Sequence, residues 1–70
     1  MTLEQYLREI AVPAGQNNVA GEIVLEDAAQ ALNTTANKVS LHIGIMEHEG
    51  KFLRLAQSQD KSKFFYMVAA

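Results

Sequence analysis

The residues best suited to chemistry lie between Thr34 and His48, in the run TTANKVSLHIGIMEH. What they offer is recognition rather than catalysis. An asparagine amide can bond an adenine edge at two points, and a lysine ammonium reaches guanine or phosphate, so Asn37 and Lys38 carry groups suited to duplex DNA. His42 lies one turn further along and can approach a base. The hydroxyls of Thr34 and Thr35, with Lys61 and Lys63 later in the chain, are of the types that hold phosphates. The middle of the same segment is different. Leu41 and Ile45, four residues apart with Gly44 beside Ile45, form an apolar strip. Such a strip can touch a thymine methyl, but it is also what a protein partner or a second copy of the chain would cover.

Other chemistries find no support in the residue pattern. His42 and His48 are six apart and point in different directions on a helix, so no i, i+4 histidine pair exists, and Glu47 and Glu49 do not complete a metal site. Ser40 and His42 have no acid to orient the imidazole, and no G-x-S-x-G or phosphate-loop motif occurs. The expectation is a protein with no catalytic centre, metal or cofactor. Tyr6, Phe52, Phe64, Phe65 and Tyr66 are expected in core and hairpin packing rather than in a platform on which bases stack. Phe65 and Met67 alternate with Phe64, Tyr66 and Val68 and would add to an exposed patch.

These groups need elements to position them. Thr2 and Gln5 have the T-x-x-Q spacing of a capping box, and Leu3, Tyr6, Leu7 and Ile10 recur at helical spacing, which predicts a first helix from Leu3 to Ile10 or Ala11. Pro13 ends it. The stretch PAGQNNVAG from Pro13 to Gly21 reads as a surface loop, and Ile23, Val24 and Leu25 read as a short strand. A second helix is expected over about residues 26–32, with Glu26 and Asp27 in its first turn and Ala28, Ala29 and Leu32 turned inward. Asn33 suits a left-handed turn. Thr34 or Thr35 caps a third helix over about residues 35–49, which Gly50 closes. At about 100° per residue, Ala36, Val39, Ile43 and Met46 share the buried side of that helix, and Asn37, Leu41, Gly44, Ile45 and His48 lie opposite. Two apolar runs, 52–56 and 63–68, flank the polar tip QSQDKS and make a C-terminal β-hairpin.

Helix, short strand, helix, turn, helix and hairpin in that order resemble the winged helix-turn-helix superfamily. Ala29, Leu32, the Asn33-Thr34 turn, Thr35, Val39, Ile43, Met46, Gly50 and Phe52 match the spacing of its core. The resemblance implies an α+β fold of three helices with a C-terminal hairpin as the wing. It further implies a recognition helix at about 35–49, a wing at about 57–63, and transcriptional regulation by reading duplex DNA with Asn37, Lys38 and His42 near the bases. Leu41 stands where related repressors often carry arginine or another polar reader. The alternative within the same superfamily is a protein-interaction module that docks its partner on Leu41 and Ile45. Small bacterial winged-helix proteins that accompany a ferrous-iron transporter are similar in size, but they carry wing cysteines that this chain lacks.

Size and charge bound these readings. Seventy residues make one domain, and a chain of this size hides only about 60% of its unfolded surface, so a second copy or a partner could complete the core. No apolar run approaches the roughly 20 residues that cross a bilayer, and no leader pattern opens the chain, so the expectation is a cytoplasmic protein without a membrane role. Zero cysteines exclude disulfides and thiolate sites. Residues 1–37 carry Arg8 against Glu4, Glu9, Glu22, Glu26 and Asp27, a balance of −4. From residue 38 onward Lys38, Lys51, Arg54, Lys61 and Lys63 face Glu47, Glu49 and Asp60, a balance of +2. Five cations are few for a protein that neutralises several phosphates, which calls for a dimer if DNA is the target.

Overall fold

In the computed structural model, which describes residues 1–70, the Thr2 hydroxyl accepts the Gln5 N–H at 3.2 Å and the Gln5 amide oxygen accepts the Thr2 N–H at 2.8 Å. That reciprocal cap starts helix α1 (Leu3–Glu9). Leu3 and Leu7 are buried, whereas Ile10, expected on the same stripe, is the C-cap and stays exposed.

Strand β1 (Val12–Pro13) and strand β2 (Asn18–Val24) follow. This corrects the expected loop over Pro13–Gly21. Gln16 and Asn17 both take positive φ, 51° and 64°, and the Asn18 N–H donates to the Gly15 carbonyl at 2.9 Å. Two central residues with positive φ match the twist of flanking strands, so the segment closes as a tight hairpin. Pro13 is tolerated because β1 is an edge strand. Asn18, Ala20 and Gly21 have little preference for strands. They adopt one because β2 pairs with strand β4 (Lys63–Ala69) along its whole length, from Asn18 opposite Ala69 to Val24 opposite Lys63. Leu25 opens helix α2 (Leu25–Ala31) instead of ending the strand.

Helix α3 (Ala36–His48) and strand β3 (Leu53–Gln57) complete the chain. The fold is α+β, with three helices and one antiparallel four-stranded sheet in the order β1-β2-β4-β3. Its last two strands form the C-terminal hairpin. A bulge between Arg54 and Ala56 sets one extra residue, Leu55, into β3.

The sheet carries its helices on one face. Leu3, Leu7, Ala28, Ala29, Val39, Ile43 and Met46 from the helices meet Ile23, Phe64, Tyr66 and Val68 from the strands in one cluster, together with Phe52. Phe52 stacks on Tyr66 with centroids 5.4 Å apart and meets Phe64 edge-on at 5.8 Å. The Tyr66 hydroxyl donates to the Leu7 carbonyl. Gly21 sits beneath this junction: a Cβ there would lie 3.1 Å from the Tyr66 hydroxyl and 3.2 Å from both the Ile10 oxygen and the Ala11 Cα. A side chain there would need β2 and the end of α1 to part by a few tenths of an ångström. No helix is long and apolar enough to cross a membrane.

Candidate nucleic-acid interface

Helix α2 ends as the sequence predicts. Asn33 takes φ 54°, the Asn33 N–H reaches the Gln30 carbonyl at 3.2 Å and the Thr34 N–H reaches the Ala29 carbonyl at 2.9 Å. This closing pattern satisfies the last carbonyls of the helix and turns the chain sharply. Thr35 then caps α3 by accepting the Lys38 N–H at 3.2 Å. A hydroxyl that accepts this bond keeps its own proton free for a phosphate oxygen. At the far end Gly50 takes φ 75°, and its N–H and that of Lys51 reach the carbonyls of Glu47 and Met46 at 3.0 and 2.8 Å.

These caps fix the outward side of α3. Val39, Ile43 and Met46 are buried, so Asn37 and Lys38 stand exposed in the first turn, and Leu41 and Ile45 remain 68% and 51% exposed. Gly44 lies among them with nothing within 4 Å of where a Cβ would sit. Nothing inside the molecule requires a glycine there.

The expected site residues divide among different surroundings. Thr34, Lys38 and His42 share a groove with Met1 and Thr2. Thr34, Thr35 and Asn37 line another with Glu26 and Gln30, so an acid shares a groove with three of the candidate DNA contacts. His42 leans toward α1, its Nε2 3.7 Å from Glu4 Oε1. No three His, Asp or Glu side chains converge within reach of a metal ion.

Lys61 sits at the hairpin tip with φ 62°. Lys63 is exposed and alternates with Phe64, Tyr66 and Val68, the three residues β4 buries, so it lies on the sheet face away from the helices. The structure therefore brings Thr35, Asn37 and Lys38 together at the start of α3 but leaves Lys63 off that surface.

No family model, curated protein or solved structure matches the chain.

Charge near the interface is thinner than the residue count implies. The Arg54 guanidinium gives two hydrogen bonds to the Glu47 carboxylate, at 3.3 and 2.8 Å, and a third to Gln57 at 2.9 Å. Its carbon lies 4.3 Å over the Phe64 ring. Lys51 pairs with Glu49 at 3.7 Å, and Arg8 Nε reaches the Ala69 carbonyl at 3.4 Å. Lys38, Lys61 and Lys63 are the lysines and arginines whose side chains make no hydrogen bond or ion pair. The tip also carries a firm negative charge. Hydrogen bonds from the Ser58 hydroxyl, the Ser62 hydroxyl and the Ser62 N–H hold the exposed Asp60 carboxyl down to about 2.

The sequence reading missed the commitment of Arg54 to Glu47, for which seven residues of separation across a helix end give no signal. It also missed Val12, Leu53 and Leu55 as exposed apolar residues. For Leu53 the available signal was its alternation with Arg54.

Proposed function

We propose that the chain is a winged helix-turn-helix protein that binds duplex DNA and regulates transcription as a dimer. The observation that carries this reading is the start of α3. A left-handed turn at Asn33 and a Thr35 cap leave Asn37 and Lys38 exposed and without side-chain partners in the first turn. A helix presented this way can enter a major groove by its N-terminal end, and the 58–62 tip can lie over the backbone as a wing. Three unpartnered cations per chain are too few for useful affinity. Two chains would double the contacts that Lys38 and Lys61 make, and would provide two half-sites.

A salt titration on duplex DNA tests this. Between about 50 and 200 mM salt, the log of the binding constant should fall against log salt with a slope of about −4 for the four phosphate contacts that Lys38 and Lys61 make in two chains. Absence of binding at the lowest salt would sink the proposal.

A second reading, docking of a protein partner, is favoured by the exposure of Leu41 and Ile45 around Gly44. Under it the double change Leu41→Ser and Ile45→Ser abolishes the partner complex while the circular dichroism spectrum stays unchanged. A complex that survives the change would exclude that surface.

A further inference from the structure

The sheet has a second face, and nothing in the chain covers it. Register pairs Val12 with Ala20, Ala20 with Met67 and Met67 with Leu53. Directly paired residues of antiparallel strands point to the same side, so these four form one unbroken apolar row across all four strands. The next row brings Phe65 opposite both Glu22 and Ala56, with the bulged Leu55 beside Ala56. Val12, Leu53, Leu55 and Phe65 are each more than half exposed. From this row and its neighbour we infer that the outer face of the sheet is a homodimer interface, covered by the same face of a second copy of this chain.

Three observations select a second copy as the occupant. The first is charge. The strands place only Glu22 and Lys63 among the charged residues on this face, one of each sign, diagonal to each other across β2 and β4. A two-fold arrangement lets Glu22 meet Lys63 of the partner subunit, and no like charges need face each other. A strongly acidic or basic partner would find no complementary field.

The second observation is area. Four half-uncovered side chains of this size present roughly 400 Å² of apolar surface, about half of what each partner buries in a standard interface. Ala20, Ala56 and Met67 between them extend the same patch. The whole chain exposes 4697 Å², against about 4,300 Å² expected for a monomer of its mass.

The third is the state of the sheet edges. β1 is two residues long and contains Pro13, and β3 is bulged between Arg54 and Ala56. Short, proline-bearing and bulged edges resist strand addition, which leaves face-to-face packing as the way to cover the row. Two such sheets pack about 10 Å apart. The helices occupy the other side of each sheet, so a dimer of this kind leaves Asn37, Lys38, Leu41 and Ile45 free at its two ends. The interface stands apart from the DNA-binding proposal, because helices at opposite ends of a dimer do not by that arrangement meet two half-sites of one duplex, and it is read out with no DNA present.

Sedimentation of the full chain over a concentration series up to roughly 1 mM should show a reversible dimer with a Kd on the order of 1–100 µM. The pair Leu53→Ser and Phe65→Ser should weaken association at least about tenfold, whereas Leu41→Ser with Ile45→Ser should not change it. Because the chain has no cysteine, the single change Phe65→Cys, next to the two-fold axis that the Glu22–Lys63 pairing sets, should yield a disulfide-linked dimer on mild oxidation, and Leu41→Cys should not. The cross-link decides the matter if the serine pair fails to fold. A chain that stays monomeric at the top concentration overturns the inference, as does a dimer that responds to Leu41 and Ile45 but not to Leu53 and Phe65. A monomer that still binds duplex DNA would remove this interface and leave DNA binding standing. A dimer that ignores DNA would do the reverse.

Discussion

Arg54 grips Glu47 with two hydrogen bonds, at 3.3 and 2.8 Å, and joins the last turn of α3 to the edge strand β3. Both side chains are about a third exposed, and the guanidinium also covers Phe64. The pair therefore fixes the angle between the candidate recognition helix and the hairpin. It also withdraws one of the few cations from any phosphate.

Releasing that cation has a readable effect. Glu47→Ala should cost about 1 kcal/mol of stability through the lost two-point ion pair. It should also tighten DNA binding at low salt and steepen the salt dependence by about one contact per chain. Unchanged salt slopes in a fluorescence titration would show that Arg54 stays away from DNA even when freed.

Contacts in the first turn of α3 separate base reading from phosphate binding. Under the DNA proposal, Lys38→Ala should weaken binding to all sequences alike and lower the salt slope by about one. Asn37→Ala should cost about 1–3 kcal/mol on the preferred site and little elsewhere. Equal losses on every sequence from both changes would remove Asn37 from base recognition.

Gly44 is a test of what touches the outer side of α3. With nothing near its Cβ position, Gly44→Ala should stabilise the chain by about 0.5–1 kcal/mol in thermal unfolding, because alanine is the better helix former. The same change should weaken whatever complex is made across Leu41 and Ile45. A gain in stability with no loss of binding would mean that no ligand approaches the helix closely there.

Alkaline unfolding should report on Tyr66. Burial, and then the nearby Tyr6, push its phenol up to about 12, while an unfolded tyrosine ionises near about 10. Between those values the unfolded chain sheds a proton that the folded chain keeps. Stability is thus full below the lower value and falls as pH rises toward the higher, by about 2–3 kcal/mol in all. Tyr66→Phe should flatten this decline in urea titrations from about pH 9 to pH 12. It should also cost about 1–2 kcal/mol at neutral pH by leaving the Leu7 carbonyl unpaired. Identical pH profiles for the two proteins would rule out the linkage.

The hairpin tip should respond at the other end of the scale. Asp60 is held down from 3.8 to about 2, first by the Ser58 hydroxyl and then by Ser62. The order it confers on the tip is present above the higher value and is lost as pH falls through the lower one. A carboxyl NMR titration should find a midpoint near about 2, accompanied by shifts at Ser58 and Ser62. A midpoint near the ordinary carboxylate value would mean that the serines do not hold it.

Four of the six helix ends were legible residue by residue, whereas α1 stops at Glu9, short of the expected Ile10, and Leu25, expected in a strand, opens α2. Thr2 with Gln5, Asn33, Thr35 and Gly50 act on backbone groups only two to five positions away, so the chain carries both halves of each cap. The buried side of α3 was equally plain, since Val39, Ile43 and Met46 follow from helical spacing alone. Strand β2 was not legible beyond its apolar end. Asn18, Ala20 and Gly21 join the sheet through partners more than 40 residues away in β4, and no local preference announces them.

The candidate site shows the same division. Its first turn, with Thr35, Asn37 and Lys38, could be named from order and chemistry, because a cap and the two residues after it are neighbours in sequence. The sequence by itself determined the helices, their caps and the hairpin, because those depend on groups within a few residues of one another. The tertiary structure alone decided that Arg54 belongs to Glu47, that Lys63 lies away from the helices, and that Val12, Ala20, Met67 and Leu53 line up on one open face. Those outcomes depend on strand register and on which side of the sheet the helices cover, and both are set by packing between distant parts of the chain.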